Sequence, residues 1–491
     1  MTLPRRLMPA DDPSAVTARV AVEGLRRACA DLKLLTEPAD VSPYLTDHRR
    51  LFTGRAMAVA LPDNVAQLST LMSWCHAQSV GVVPQGGNTG YCGGATPDAS
   101  GRQLVIALER MNRIRTLDAA NDSMIVEAGC RLAQVQAAAA SIERFFPLEL
   151  GSAGSCQIGG NLATNAGGLN VLRFGMARDL TLGVEAVLPD GRVLQHLRAL
   201  RKDNTGYHLT GLLIGSECTL GIITAATLKL WPQQRRVATA FVAVPDPAAA
   251  LALLGVLRRH AGERVNSFEL LPRIAIDLTC RYVPGVTDPL GSLHDWYVLC
   301  ELRDSMGESM DEKLDELLQQ ALLQATSEGL VRDAAMATND RQRQSFWKLR
   351  ESVPEAQRHA GAGVKHDVSV PVAALPAFLA EASRWVRESV PTGTLVAYGH
   401  AGDGNLHFNI NWLDGTPTGA VAAQEPVIRR AIHDLVAGYD GSFSAEHGIG
   451  QLKVDELRRY TSAPEWDLMR AIKRAVDPKG IMNPGKVLST G

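Results

Sequence analysis

Short apolar runs alternate with amphipathic segments along the first third of the chain. In residues 64–78 the apolar positions recur at helical spacing and would share one face of a helix: Val65, Leu68, Leu71, Met72 and Cys75. A similar pattern predicts a helix over residues 14–34. The apolar runs at 55–62 and 81–84 each end in proline, which is typical of short strands that lead into turns. This alternation predicts a layered protein that contains both helices and sheets.

The pattern changes after Pro232, where glycine becomes rarer. Three β-like stretches alternate with two longer amphipathic segments, which predicts strands at 238–244, 265–271 and 296–302 and helices at 247–260 and 309–328. We therefore expect a domain boundary near residues 235–265.

Composition places the chain among ordinary globular proteins. Its 491 residues are 46% apolar and 21% charged, which is enough for two or three domains without disulfide support. The 50 basic and 52 acidic residues nearly cancel, so no strong field favours nucleic acid or an anionic membrane. Eight scattered cysteines without a C-x-x-C pair predict reduced, buried thiols. Because the sequence has neither an apolar signal segment nor 18 consecutive apolar residues, we expect a cytoplasmic protein with no transmembrane segment.

Glycine concentrates in three blocks of the first half. They are VPQGGNTGYCGG (83–94), ELGSAGSCQIGGNLATNAGGLNVLRFG (149–175) and GLLIGSECTLGIITAATLKLWP (211–232). Glycine lets the backbone approach a ligand closely and point successive N–H groups at phosphate oxygens without adding charge. One such loop alone is more typical of a structural turn, but two favour a large ligand that contains phosphate. Neither loop has the spacing of a Rossmann turn or a P-loop, which disfavours an NAD site of that type and nucleotide hydrolysis.

The three blocks carry a resemblance to a known family. The strings PQGGNTGYCGG, GSCQIGGNLATNAGG and GSECTLGIIT resemble, in order and spacing, the FAD-binding domain of the flavoproteins related to vanillyl-alcohol oxidase and p-cresol methylhydroxylase. The resemblance implies an α+β fold, with FAD between two small subdomains and a substrate domain in which helices cover an antiparallel sheet. It implies an FAD domain over 1–235, a substrate and metal domain over 236–450, and a segment over 451–491 that returns to the FAD domain.

The same resemblance implies which residues contact FAD. They are Pro84, Gly86, Gly87, Asn88, Thr89, Gly90, Ser155, Gly159, Gly160, Asn161, Thr164, Asn165, Gly221, Ile223, Asn483 and Lys486. A cation such as Lys486 beside the flavin ring would stabilise anionic reduced flavin, although a turn with an exposed lysine is an equal alternative. Some relatives attach flavin covalently through His or Cys. The first loop has no histidine, and Cys92 and Cys156 are interpreted as packing residues, so we expect non-covalent FAD.

Ionisable residues cluster in the second half, in GHAGDGNLHFN (399–409) and SAEHGIG (444–450). His400 and His407 flank a Gly-Asp-Gly turn, so two strands joined by that turn could point both imidazoles at one place. Together with Glu446 they would form a set of two histidines and one carboxylate, which suits zinc, manganese or iron. The alternative is that each histidine is merely hydrogen-bonded at a strand end. His447 is a candidate general base, or else a residue that packs beside the ligands.

These strings resemble the D-2-hydroxyacid dehydrogenase branch of the flavoprotein family, which includes D-2-hydroxyglutarate and D-lactate dehydrogenases. The resemblance implies that His400, His407 and Glu446 bind a divalent metal, zinc in the first place, which also holds the substrate's 2-hydroxyl and C1 carboxylate. It implies that His447 takes the hydroxyl proton while C2 delivers hydride to flavin N5.

Substrate contacts are also implied, at Asn409 and at two cations. Arg350 and Lys365 coincide with residues that bind the distal carboxylate of D-2-hydroxyglutarate, although an arginine in an amphipathic helix and a lysine at the start of a strand are usually exposed. Two cations suit such a site, because burying the second carboxylate of the substrate without a positively charged partner would be costly. Pro354 stands where those enzymes tend to have threonine, which broadens the expected substrate range to C4 diacids such as malate.

We therefore expect an FAD- and metal-dependent dehydrogenase that oxidises D-2-hydroxyglutarate to 2-oxoglutarate. One alternative is a D-lactate or glycolate dehydrogenase, which would need no cation pair for a second carboxylate. Another is a non-catalytic FAD-binding electron-transfer subunit. The family implies an electron-transfer flavoprotein or a quinone as electron acceptor. A homodimer would be the commonest assembly, and no nucleic-acid partner is expected.

Overall fold

The computed structural model describes residues 13–305 and 313–488. The strands of the first half are β1 (Lys33–Leu35), β2 (Ala56–Leu61), β3 (Val82–Gln85), β4 (Gln103–Ala107), β5 (Ile114–Asp118), β6 (Ser123–Glu127), β7 (Arg144–Phe145), β8 (Thr181–Val187), β9 (Val193–His196), β10 (Ile222–Lys229) and β11 (Trp231–Pro232). Strands β2, β4 and β3 run parallel in one sheet, with β1 antiparallel at its edge. A second, antiparallel sheet has the order β5-β6-β10-β8-β9, and β7 pairs with β11. The first half is thus two small layered units.

The helices of the first half are α1 (Pro13–Ala28), α2 (Pro38–Val41), α3 (Val65–Gln78), α4 (Leu132–Ala140), α5 (Ile158–Ala163), α6 (Val171–Phe174) and α7 (Leu209–Leu213). Helix α3 matches the predicted helix, and the Asn64 side chain caps it by accepting the N–H of Gln67. The helix predicted over 14–34 is wrong in its last part. Residues 33–35 pair instead with β2, because the hydrogen bonds of a sheet edge outweigh local helical spacing there.

The strands of the second half are β12 (Arg236–Val244), β13 (Val265–Pro272), β14 (Trp296–Asp304), β15 (Asp333–Met336), β16 (Gly363–Val364), β17 (Asp367–Ser369), β18 (Thr394–Tyr398) and β19 (Asn405–Asn411). The first four form an antiparallel sheet in the order β13-β14-β12-β15. Strands β16, β17 and β18 all pair antiparallel with β19. The three strands predicted for this half are therefore found.

Further helices follow in the second half, and the first four of them cover the two faces of the larger sheet. They are α8 (Pro247–Ala261), α9 (Arg273–Tyr282), α10 (Leu314–Ser327), α11 (Asp340–Glu351), α12 (Val353–Ala360), α13 (Leu375–Ser389) and α14 (Thr418–Gly438), followed by α15 (Val454–Tyr460) and α16 (Ala463–Val476). Helices α8 and α10 bury Leu253 and Leu318 against one face, and α9 and α11 bury Ile276 and Leu349 against the other. The start of the helix predicted over 309–328 lies outside the described residues. The predicted α+β class, with helices on an antiparallel sheet, is confirmed.

Three pairings join segments that are distant in the sequence, two within the second half and one between the C-terminal segment and the first half. Leu270 in β13 exchanges backbone hydrogen bonds with Gly399, after β18. Ser369 in β17 does the same with Ser442. The C-terminal segment returns to the first half, where Val82 of β3 donates to Ile481 O and accepts from Asn483 N. Within the described ranges, no helix combines the length and apolar character that a transmembrane helix needs.

Candidate active site

A cleft of about 870 Å³ lies between the first two glycine blocks. The loop after β3 forms one wall, and the segment that contains α5 forms another. Twelve of the residues predicted to contact FAD line this cofactor cleft: Pro84, Gly86, Gly87, Asn88, Thr89, Gly90, Gly159, Gly160, Asn161, Thr164, Ile223 and Asn483.

The four remaining predicted contacts lie outside the cleft wall. The Ser155 hydroxyl and the Asn165 amide oxygen are hydrogen-bonded to neighbouring backbone groups. Gly221 packs close to a backbone carbonyl of β8, and Lys486 is buried behind the turn at Asn483. Burial lowers the pKa of Lys486 to about 8. Contact of these four residues with FAD stays a prediction.

Glycine serves the cofactor cleft in two ways. A Cβ atom on Gly87 would lie 2.1 Å from the carbonyl oxygen of Ser155, so the two loops can approach this closely only without a side chain. A Cβ atom on Gly90 or Gly160 would meet nothing within 4 Å, because these glycines face open space. The first role closes the wall, and the second leaves room for a ligand.

Buried acceptors in the wall fit a flavin cofactor. The amide oxygens of Gln157, Asn161 and Asn483 are buried and have no hydrogen-bond partner among the described residues. An unpaired buried acceptor is costly, so a ligand that carries donors would be favoured here. FAD carries N–H and hydroxyl donors, and the residues present therefore suit it.

Two histidines and a glutamate meet beside this cleft. His400 follows β18, His407 lies in β19, and the hairpin between these strands turns both imidazoles toward Glu446. One ligand atom from each of the three residues lies within 4.8 Å of the others, and His400 Nε2 is 3.9 Å from Glu446 Oε1. The N–H of Gly168 donates to the same carboxylate oxygen at 3.0 Å. The geometry suits a divalent ion with open coordination positions.

Glu269, which sequence reasoning missed, orients His400, one of the three residues (His400, His407 and Glu446) that we call the candidate metal set, or metal set. The pairing of Leu270 with Gly399 brings Glu269 Oε1 to 2.5 Å from His400 Nδ1, and Oε2 lies 2.6 Å from Arg350 Nε. Burial alone lowers the pKa of His400, but the Glu269 and Glu446 carboxylates raise it to about 9. Such a carboxylate fixes the tautomer that leaves Nε2 free for a metal. The sequence did carry one signal that could have identified Glu269, since it is a charged residue inside an otherwise mostly apolar strand.

Asp367, also missed, holds the candidate base. Its Oδ2 accepts the backbone N–H groups of Glu446 at 2.8 Å and His447 at 3.0 Å, and lies 3.3 Å from His447 Nδ1. Burial raises the pKa of Asp367, but His447, His407 and Lys453 hold it well below its usual range. Burial lowers the pKa of His447 although Asp367 opposes this, so the imidazole is neutral near pH 7 and can accept a proton.

Glu217 anchors the other end of the same loop. Its fully buried carboxylate accepts the N–H groups of Ile449 at 2.6 Å and Gly450 at 2.7 Å. His447 consequently lies in the wall of the cofactor cleft, where the Tyr91 ring contacts it edge-on with 4.7 Å between ring centroids. The loop 446–450 thus brings a candidate metal ligand, Glu446, and a candidate base, His447, to the cofactor cleft.

The predicted substrate residues fall in different places. Arg350 lies beside the metal set, where it pairs with Glu269. Asn409 is buried, and both ends of its amide are hydrogen-bonded within the protein. Lys365 is partly buried and forms no hydrogen bond or ion pair with any residue that the structure describes. Pro354 is exposed at the start of α12.

Comparison with known proteins agrees with this geometry. A family model described as FAD linked oxidases, C-terminal domain, matches residues 233–487, and an FAD binding domain matches residues 56–196. This chain belongs to the FAD-linked oxidase family. The resemblance inferred from the glycine blocks is confirmed, and the family assigns FAD as the cofactor of the first half.

Within the FAD-linked oxidases, the chain is 38% identical over 444 residues to mitochondrial D-2-hydroxyglutarate dehydrogenase of Arabidopsis thaliana, covering 90% of this chain and 77% of that protein. It is 36% identical to D-2-hydroxyglutarate dehydrogenase of Xanthomonas citri pv. viticola, covering 95% of this chain and 96% of that protein. Substrate-bound p-cresol methylhydroxylase shares the fold, with a TM-score of 0.74 at 17% identity and 99% coverage of both chains.

Substitution of Gly87 by alanine should weaken FAD binding. The new Cβ would force the two glycine loops apart, at a cost of about 1–3 kcal/mol, which corresponds to roughly 5- to 150-fold in affinity. Titration of apoprotein with FAD measures the loss. Gly151→Ala is the matched control, since a Cβ there meets nothing within 4 Å. Equal affinity in both variants would contradict the assigned packing role.

Substitution of Glu269 by glutamine should weaken zinc binding roughly 10- to 100-fold, because it removes the charge that orients His400. Zinc titration of the FAD-loaded protein measures this effect. Glu301→Gln is the control, since Glu301 is an equally buried carboxylate on the neighbouring strand, paired with Arg303 instead of a metal ligand. An unchanged zinc affinity in Glu269→Gln would refute the orienting role.

Proposed function

We propose that this chain is an FAD- and divalent-metal-dependent dehydrogenase of D-2-hydroxy acids, with D-2-hydroxyglutarate as its preferred substrate. One observation carries the proposal: loop 446–450 holds Glu446, which lies close to His400 and His407, next to His447, which lines the cofactor cleft. The names of the relatives support the substrate class. An FAD-binding electron-transfer subunit would have no use for this arrangement.

The residues divide the chemistry among them. Bound FAD supplies a hydride acceptor, and a divalent ion supplies a Lewis acid for the 2-hydroxyl. His400, His407 and Glu446 would hold the ion, and two histidines with one carboxylate suit zinc, our first choice, as well as iron. Asp367 lies beside Nδ1 of His447 and favours the tautomer in which Nδ1 carries the proton. Nε2 is then unprotonated, and there His447 would accept the hydroxyl proton.

Non-covalent FAD is part of the proposal. Cys92 and Cys156 both line the cofactor cleft, but burial raises the pKa of Cys92 to about 11 and its thiol donates to the carbonyl oxygen of Gly448. A protonated, hydrogen-bonded thiol is a poor nucleophile for attachment to flavin. An electron-transfer flavoprotein or a quinone would then reoxidise the flavin.

Preference for a diacid rests on Lys365. A partly buried ammonium group without a partner among the described residues favours a substrate that brings a second carboxylate. D-lactate and glycolate have no such group, so a D-lactate or glycolate dehydrogenase is the weaker alternative.

Anaerobic D-2-hydroxyglutarate should bleach the visible absorbance of the flavin, and prior treatment with a chelator should abolish the bleaching until zinc is restored. Stopped-flow absorbance measures both rates, with D-malate, D-lactate and the L enantiomers as comparison substrates. A flavin that stays oxidised with every D-2-hydroxy acid would refute the function. Full activity in metal-free protein would refute the proposed requirement for a divalent metal.

Asp367→Asn should slow flavin reduction by about 10²- to 10³-fold, because the tautomer of His447 is no longer fixed. Asp367 raises the pKa of His447, so the acidic limb of the pH–rate profile should move to lower pH in the variant. The control is Asp477→Asn, which changes a buried aspartate that accepts two backbone N–H groups away from His447. An unshifted profile would show that Asp367 does not act on the base.

A further inference from the structure

A tight loop of the first half reaches the candidate active site. Thr46 and Thr53 pair across its base, and the carboxylate of Asp47 accepts the backbone N–H groups of Arg49 at 2.9 Å and Phe52 at 2.5 Å. These contacts fix the backbone of residues 46–53. The guanidinium of Arg49 takes no part in them and remains exposed.

Arg49 lies one aromatic ring away from the candidate base. Its Cζ atom is 6.0 Å from the centroid of the Tyr91 ring, a distance at which a cation is attracted to the ring face. The same ring contacts His447 edge-on. His48 stacks on Tyr91 as well, at 5.7 Å between centroids. The loop and the base therefore share one contact surface.

Lys365 approaches the same region from the second half. Val364 ends β16 and Val368 lies in β17, and both belong to the hydrophobic core. The two strands pair with β19 in one continuous register, so Lys365, in the link between them, and Asp367 lie on the side away from that core. Asp367 is the register partner of His407, which places Lys365 on the face that carries the metal set. Burial, and then the nearby charges of Arg49 and Arg358, lower the pKa of Lys365.

The charges on this side of the site are not balanced. Arg350 is neutralised by Glu269, but neither Arg49 nor Lys365 forms a side-chain ion pair with any residue in 13–305 or 313–488. Two neighbouring cations without an anion repel each other, and an anionic group placed between them would relieve the repulsion.

We propose that Arg49 binds the distal carboxylate of a dicarboxylic 2-hydroxy acid together with Lys365, and so sets the preference for diacids over monoacids. The assignment rests on the proposed function. It gives the first half of the chain a part in substrate selection in addition to holding the cofactor.

The test compares two substrates of equal chain length, D-2-hydroxyglutarate and D-2-hydroxypentanoate, in FAD- and zinc-loaded wild type, Arg49→Gln and Arg49→Lys. We expect Arg49→Gln to lower kcat/KM for the diacid roughly 10- to 100-fold through KM, as loss of a charge-assisted hydrogen bond would. In Arg49→Gln, kcat/KM for the monoacid should stay within about twofold of the wild-type value. Arg49→Lys should recover most of the kcat/KM lost for the diacid.

Two variants with the same charge change serve as controls. Arg50→Asn removes the next charge on the loop, and asparagine tolerates the φ of 58° at that position. Arg358→Gln removes the other cation near Lys365. Both should keep the wild-type preference for the diacid within about threefold.

Each outcome has a distinct meaning. A preference that is unchanged in Arg49→Gln, or that falls only in Arg358→Gln, overturns the assignment of Arg49 while leaving the proposed function in place. Equal losses for both substrates would make Arg49 a structural residue and also overturn the assignment. If neither acid reduces the wild-type flavin, the proposed function fails and the assignment fails with it.

Discussion

The site depends on how two buried carboxylates hold one short loop. Asp367, from the second half, accepts the N–H groups of Glu446 and His447, and Glu217, from the first half, accepts those of Ile449 and Gly450. Burial removes the hydrogen bonds that each carboxylate would make to water. Charge-assisted hydrogen bonds from the backbone N–H groups compensate for that loss. The loop is therefore the point at which the cofactor cleft and the metal set become one site.

Charge is arranged locally even though the whole chain is nearly neutral. The cofactor cleft has glycine backbone and amide groups in its wall, where a dinucleotide would otherwise call for basic side chains. Arg350 and His400 share Glu269, which leaves the metal set without a surplus of positive charge. Lys365 is a partly buried cation without a carboxylate partner in the described part of the chain, and the distal carboxylate of the proposed diacid substrate would supply one.

Sequence patterns predicted the features that depend on residues close together in the chain, such as a helix and a turn between two strands. Apolar spacing located α3, and the Gly-Asp-Gly turn between His400 and His407 predicted two strands with both imidazoles at one end. The spacing did not reveal that Glu269 lies beside His400, because 131 residues separate them. Asp367 and His447 are 80 residues apart, and Glu217 and Ile449 are 232 residues apart. Such contacts follow from the pairing of distant strands, for which a single sequence carries no direct signal.

The proposed chemistry requires one divalent ion between the two histidines and Glu446, next to His447 and the flavin. X-ray diffraction from crystals of the FAD- and zinc-loaded protein, measured on both sides of the zinc absorption edge, tests it most directly. The account predicts a single anomalous peak within about 2.3 Å of His400 Nε2, a nitrogen of His407 and a carboxylate oxygen of Glu446. A peak at another set of residues, or no peak in zinc-saturated crystals, would contradict it.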